Sequence, residues 1–314
     1  MESLINNYQQ LFHKLFGQLN DDLLEQIISS GTKKELNGGE YLFHQGDVES
    51  VLYIVLSGRL RAIQEDAKGV RILGDIGEGE PVGEFALFTG EPRMASVLAI
   101  RKSTVLEIDQ QEYLDLVSKN PTLANSMTRF VINRLRRNTF QQNHSTPPKN
   151  IVLINLQADH DLSPWTIDME VYFKENGIPV QVFDHESQEA ISDQEFFDSL
   201  ERYSGVNIFI CSETNLKWSN QCLVYADLVI LVTDFQANPD PYQIEKELDL
   251  YSQNILNKKI YLVFLHEKDS AMPKGTSKWL EHRTINLHVH LREGHLGDIR
   301  RFCRIITHNA TGLV

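Results

Sequence analysis

Cysteine is scarce in this chain. Three cysteines, Cys211, Cys222 and Cys303, stand among 314 residues, and none has a close partner in sequence. A disulfide framework or a thiolate metal site is therefore not expected, and a reducing compartment suits the chain. Long apolar runs are missing too; none approaches the roughly 20 residues of a membrane span. The first 16 residues have no basic stretch ahead of an apolar one, so no secretory signal is expected. These absences point to a cytoplasmic protein with no transmembrane segment. Positive charge is also in deficit. The net charge is −13, with 16 Lys+Arg against 19 Asp+Glu in residues 1–150 and 14 against 24 in residues 151–314. Such an acidic second half offers no basic face to a phosphate backbone, which excludes a nucleic-acid partner. Two glycine signatures are absent. No Gly-x-Ser-x-Gly elbow presents a hydrolase nucleophile. The first strand of the second half runs into Asn155-Leu156-Gln157-Ala158-Asp159-His160, without the glycine turn that a dinucleotide needs.

What is present is a clear order of elements. Residues 2–16 and 21–29 read as helices, with Asn20 or Asp21 placed to cap the second. Short strand-like runs follow at 40–43, 51–56, 59–65, 70–76, 95–100 and 104–109, broken by Gly and Asp. That rhythm predicts a sandwich or barrel. From Gln110 the period is helical again. Residues 121–140 place Leu123, Met127, Phe130, Val131 and Leu135 on one face. Arg134, Arg136 and Arg137 on that helix read as a solvated basic patch. The polar stretch 141–150 contains Pro147-Pro148, which cannot continue a helix. We therefore expect a domain over 1–142, a linker over 143–150 and a second domain over 151–314.

In the second domain, strand runs at 151–156, 179–183, 206–211, 228–232, 260–265 and 285–290 alternate with helical patterns. Ser163-Pro164 supplies a cap followed by proline, and Ser192 with Glu195 a capping box. Alternation of this kind predicts a doubly wound, Rossmann-like or flavodoxin-like α/β domain with a mainly parallel sheet. His288 and His290 lie two apart, with His295 nearby. A zinc site would need a further ligand, so a polar strand face is the reading and no metal is expected.

The chemistry concentrates in Gly83-Glu84-Phe85-Ala86-Leu87-Phe88, then Thr89-Gly90-Glu91, then Pro92-Arg93-Met94-Ala95. A cyclic nucleoside monophosphate has one charge on a compact ring phosphate, a ribose 2′-hydroxyl and a flat base. Arg93 can meet two phosphate oxygens with its rigid fork. Backbone N–H groups of the Phe85-Ala86-Leu87 turn add donors, and Gly83 lets the chain come close. Glu84 can accept the ribose hydroxyl proton. Ala86 and Ala95 are small enough to leave room for sugar and phosphate.

This cassette resembles those of protein kinase A regulatory subunits and the catabolite activator protein, which share Gly-Glu-x-Ala/Gly-Leu, a spacer and Arg-x-Ala. The upstream turns match as well: Gly39-Glu40-Tyr41-Leu42-Phe43-His44-Gln45-Gly46-Asp47, then Leu52-Tyr53-Ile54-Val55-Leu56-Ser57-Gly58. The resemblance covers about residues 10–140. It implies an α+β domain, a cyclic-nucleotide-binding β-roll with flanking helices. It implies a ligand held by Gly83, Glu84, Phe85, Ala86, Arg93, Met94 and Ala95. Met94 stands where some members carry a hydroxyl that selects guanine, so cyclic AMP is expected over cyclic GMP.

A second resemblance covers about residues 150–314. Residues 222–232, Ile244-Glu245, then Lys278-Trp279-Leu280-Glu281-His282-Arg283 and His288-Val289-His290-Leu291-Arg292 are similar to the region preceding the patatin domain of neuropathy-target-esterase-like phospholipases. It implies the regulatory portion of a lipid hydrolase, with a patatin-type catalytic domain as partner. The family's catalytic serine and aspartate are absent, so the chain is not expected to be an enzyme, and no cofactor is expected beyond the ligand. The alternatives are a nucleotide-hydrolase-like enzyme in the α/β half and a ligand-free scaffold.

Overall fold

The fold is described from a computed structural model, over residues 8–9, 11–13, 15–17, 20–66, 69–139, 147–157, 160–185, 196–197, 199–200, 203–251, 258–268 and 274–307. The capping box at Ser192 and residues 143–146 of the expected linker lie outside these residues. The chain divides into two compact units, Met1–Ser145 and Thr146–Val314.

In the first unit, α1 (Asp21–Ser30) starts at Asn20, whose side chain accepts the Leu23 N–H at 3.0 Å. Eight strands follow: β1 (Thr32–Leu36), β2 (Tyr41–Phe43), β3 (Val51–Ser57), β4 (Leu60–Asp66), β5 (Gly69–Ile76), β6 (Pro81–Val82), β7 (Ser96–Ala99) and β8 (Ser103–Asp109). They form two four-stranded antiparallel sheets, ordered β1-β8-β3-β6 and β2-β7-β4-β5. One core lies between the sheets, where Tyr53, Val55 and Val105 of the first meet Phe43, Leu60 and Val97 of the second. A second core covers the outer face of the first sheet. There Leu52, Ile54 and Leu106 pack against Leu24, Tyr113, Leu123 and Met127 from the helices. Strand β3 is thus buried on both faces, which explains its unbroken apolar run Val51–Leu56. The short helix α2 (Glu84–Thr89) is bracketed by two left-handed glycines, Gly83 at φ 89° and Gly90 at φ 70°. Helices α3 (Gln110–Lys119) and α4 (Pro121–Thr139) close the unit; Asp109 and Glu112 form a capping box at the start of α3.

The second unit is a six-stranded parallel sheet of β9 (Asn150–Asn155), β10 (Val180–Phe183), β11 (Val206–Cys211), β12 (Leu228–Asp234), β13 (Lys259–His266) and β14 (Leu287–Arg292). Its helices are α5 (Ser163–Glu175), α6 (Leu216–Tyr225), α7 (Gln243–Glu247), α8 (Thr276–Leu280) and α9 (Leu296–Ile306). Alternate strand residues face opposite cores. Ile151, Leu153, Ile230 and Val263 pack on α5 and α9, whereas Val152, Ile154, Leu231 and Phe264 pack on α6, α7 and α8. The doubly wound reading therefore holds. The strand order is β10-β11-β9-β12-β13-β14. Within the domain this is second, third, first, fourth, fifth, sixth; the second and third strands are exchanged relative to the Rossmann order. Helix α5 begins one residue earlier than its serine suggested. Leu162 is the cap residue, and the Asp161 carboxylate accepts the Ser163 N–H at 2.8 Å.

Candidate functional site

The cassette is assembled from both sheets and the last helix of the first unit. Gly83 is required at its turn: a Cβ there would lie 2.3 Å from Arg93 Nη1 and 2.8 Å from the Val51 carbonyl. The missing side chain lets Arg93 lie against the backbone. Its Nη1 donates to the Gly83 carbonyl at 3.0 Å and its Nη2 to the Val51 carbonyl at 2.9 Å. The guanidinium carbon sits 4.2 Å from the Phe43 ring centre and 5.7 Å from that of Tyr53. Glu49 approaches Nη2 at 3.8 Å from the solvent side. Arg93 is 3% exposed, and its Nε has no hydrogen-bond partner. Burial pulls its pKa below the ordinary guanidinium value, opposed by Tyr53, Glu49, Asp47 and Glu84. A buried donor left unpaired costs about 1–3 kcal/mol, which an incoming anion would recover. The backbone of Arg93 is strapped to the upstream turn: its N–H donates to the Asp47 carbonyl, and its carbonyl accepts the Gly46 N–H, each at 2.8 Å.

Glu84 is 1% exposed. Its Oε1 accepts a charged hydrogen bond from Arg134 Nη1 of α4 at 2.7 Å. Arg134 also donates to the Pro81 carbonyl at 2.9 Å and lies over the Phe130 ring at 4.6 Å. Arg134 is thus no part of a solvated patch; it crosses from the helix to the cassette. An arginine on a helix face gives no sign of its partner in sequence; the pairing with Glu84, 50 residues upstream, exists only in the fold. Helix α3 holds the cassette from another side, with Gln110 Nε2 donating to the Leu87 carbonyl at 3.3 Å and Tyr113 packed edge-on to Phe88. Burial raises the Tyr113 hydroxyl pKa to about 12.

Of the expected site residues, Glu84, Ala86 and Arg93 are buried, and half-buried Gly83 lies against Arg93. Phe85 and Ala95 are half-buried as well. Met94 stands apart, 60% exposed, with its side chain turned to solvent.

In the second unit, the crevice outside the carboxyl ends of β9 and β12 is where a doubly wound fold binds ligands. Here Gln157 Oε1 bridges it, accepting from the Asp234 N–H at 2.8 Å and Thr233 Oγ1 at 3.3 Å. The histidines distribute themselves differently from their sequence order. His290 pairs with His266 on β13 at 2.7 Å, and burial holds its pKa down at about 4. His295 instead joins Asp298 and Arg292. Among the described residues no group of three or more His, Cys, Asp or Glu could hold a metal ion, and no helix is long and apolar enough to cross a membrane. Two stretches of the second resemblance meet at a buried ion pair. Arg283 Nε and Nη2 donate to both oxygens of Glu245 at 2.8 and 2.7 Å, while its other protons go to the Pro239, Asp240 and Trp279 carbonyls.

Comparison with known proteins agrees with both units. Residues 33–120 match the family model for the cyclic nucleotide-binding domain, and the first unit is a cyclic-nucleotide-binding domain. Residues 173–309 match the Neuropathy Target Esterase family P-loop like domain. The chain therefore joins these two domains. It is 24% identical over 305 residues to a lysophospholipase of Aspergillus oryzae, covering 83% of this chain and 19% of that protein. A lysophospholipase of Coccidioides immitis is 26% identical over 282 residues, covering 79% and 18%. The chain thus spans about a fifth of the length of the curated relatives it matches. Among solved structures, the Thermus thermophilus catabolite activator protein aligns at 24% identity and TM-score 0.39, over 52% of this chain and 72% of that one. The regulatory domain of Toxoplasma gondii protein kinase A, solved with cAMP, aligns at 26% and 0.36, over 40% and 49%.

Proposed function

We propose that this chain is a cyclic-nucleotide sensor and the regulatory portion of a lysophospholipase, acting on a patatin-type catalytic domain in the cytoplasm. The observation that carries the reading is the buried, unpartnered Nε of Arg93. It lies in a cradle that a Cβ at Gly83 would fill, beside a buried carboxylate held by α4. Arg93 takes the cyclic phosphate and Glu84 the ribose hydroxyl, with Gly83, Phe85, Ala86 and Ala95 shaping the seat. Cyclic AMP is preferred to cyclic GMP, because no hydroxyl follows Arg93. The chain carries no ester-cleaving nucleophile of its own: its sequence has no Gly-x-Ser-x-Gly.

Calorimetric titration of the full chain with cyclic AMP, beside Arg93→Ala, tests this. Removing one partner of a desolvated charge pair costs about 2–5 kcal/mol, or roughly 30-fold to several-thousand-fold in affinity. An Arg93→Ala protein that binds as tightly as the parent would put the ligand elsewhere.

A further inference from the structure

The guanidinium of Arg93 is held in two ways. In its plane, Nη1 and Nη2 each donate one of their two protons, to the Gly83 and Val51 carbonyls. The guanidinium carbon also lies over the ring of Phe43, the last residue of β2, with Tyr53 of β3 beside it; the two rings stack with centres 5.9 Å apart. Both rings belong to the core between the sheets. The phenyl group is therefore not only filling: at 4.2 Å from the guanidinium carbon it is the surface on which a buried cation rests. A cation over an aromatic face gains most where water is excluded, and Arg93 is almost fully buried.

Resting on the sensor reading above, we propose that Phe43 is a positioning residue for Arg93, its ring fixing the plane of the guanidinium so that Nε remains the donor available to a cyclic phosphate. The carbonyls alone do not fix that plane, because hydrogen bonds to two terminal nitrogens leave the group free to tilt about the line joining them. The ring supplies the missing restraint. An aliphatic side chain of similar volume would fill the core without supplying it.

The test compares Phe43→Leu, Phe43→Met and Phe43→Tyr in the full chain; the methionine variant keeps the volume should leucine fail to fold. Two readouts are taken: the dissociation constant for cyclic AMP by calorimetry, and the rigidity of the Arg93 Nε–H bond as an NMR order parameter without ligand, assigned by its loss in Arg93→Lys. Leucine and methionine should weaken binding roughly 10- to 30-fold and lower the order parameter. Tyrosine, which keeps the π face, should stay near the parent in both. The proposal is overturned if leucine and methionine leave the order parameter unchanged, whatever they do to affinity, or if tyrosine behaves as they do. A parent protein that binds no cyclic nucleotide, yet shows the expected loss of order in the leucine and methionine variants, refutes the sensor reading and upholds the role of Phe43.

Discussion

The pair between Glu84 and Arg134 joins the cassette to the last helix of its domain, and Arg134→Ala isolates it. The substitution leaves a carboxylate that is 2% exposed without its cation and strips the stacked guanidinium from Phe130. Breaking a buried pair from one side costs about 3–5 kcal/mol. Arg134 itself is 19% exposed, so water softens the loss, and the low end, about 3 kcal/mol, is the expectation. For a domain of this size each kcal/mol moves the midpoint by about 2–4 °C, so melting should fall by roughly 6–12 °C. Calorimetry is the assay, because the chain has two units and a single optical transition would blend them. The control is a cycle with Glu84→Gln. If the pair is the cause, the double variant loses less than the sum of the singles, since the neutral amide no longer needs its cation. Additive losses, or an unchanged midpoint in Arg134→Ala, would refute the link between helix and cassette.

Two further outcomes are expected. In competition binding, cyclic AMP should displace a labelled nucleotide more readily than cyclic GMP by roughly 2- to 13-fold, the equivalent of about 0.5–1.5 kcal/mol for one hydrogen bond exchanged with water at a solvent-facing position; equal displacement removes that argument. In the second domain, Arg283→Met leaves the fully buried Glu245 carboxylate without its cation, held by the Tyr251 hydroxyl and the Tyr242 N–H. It should destabilise that unit by about 3–5 kcal/mol in denaturant unfolding, while cyclic-nucleotide affinity stays at the parental value.

Much of this architecture is legible in the chain because its signals are local. Strand β11 coincides with the strand expected over Val206–Cys211, and Asn20 caps the helix it precedes. What escaped the sequence reading depended on partners far away. Strand β1 reads Thr-Lys-Lys-Glu-Leu, with no apolar alternation, because among the described residues it is a sheet edge paired with β8 alone. Strand β6 has two residues, too few for any period. The cassette itself was legible as a motif, since glycine, glutamate and arginine lie within eleven residues. The side chains that hold it were not. Arg134 and Phe43 come from opposite ends of the domain, and only the fold brings them to Glu84 and Arg93. The same holds for Glu245 and Arg283, whose pairing gives a physical reason for the two separate stretches of the second resemblance.

How a ligand would act on the rest of the chain follows from what Glu84 already holds. Its Oε1 is committed to Arg134, so a ribose hydroxyl must use Oε2 or compete for Oε1. A neutral hydroxyl forms a weaker bond to a carboxylate than a guanidinium does, so displacement of Arg134 is disfavoured and sharing is the expected outcome. Sharing adds a hydrogen bond and more order to the same buried carboxylate. A ligand shifts a conformational equilibrium only through contacts that differ between its states. The contact that differs here is the one to α4, the last helix before residue 140. Hydrogen exchange with and without saturating cyclic AMP should therefore show protection rising in Pro121–Thr139 as well as around Gly83 and Arg93. The rise in α4 should disappear in Arg134→Ala while protection around Arg93 persists, because phosphate binding does not pass through Arg134. If α4 exchanges identically with and without ligand in the parent protein, binding stops at the cassette, and the domain holds a nucleotide without reporting it.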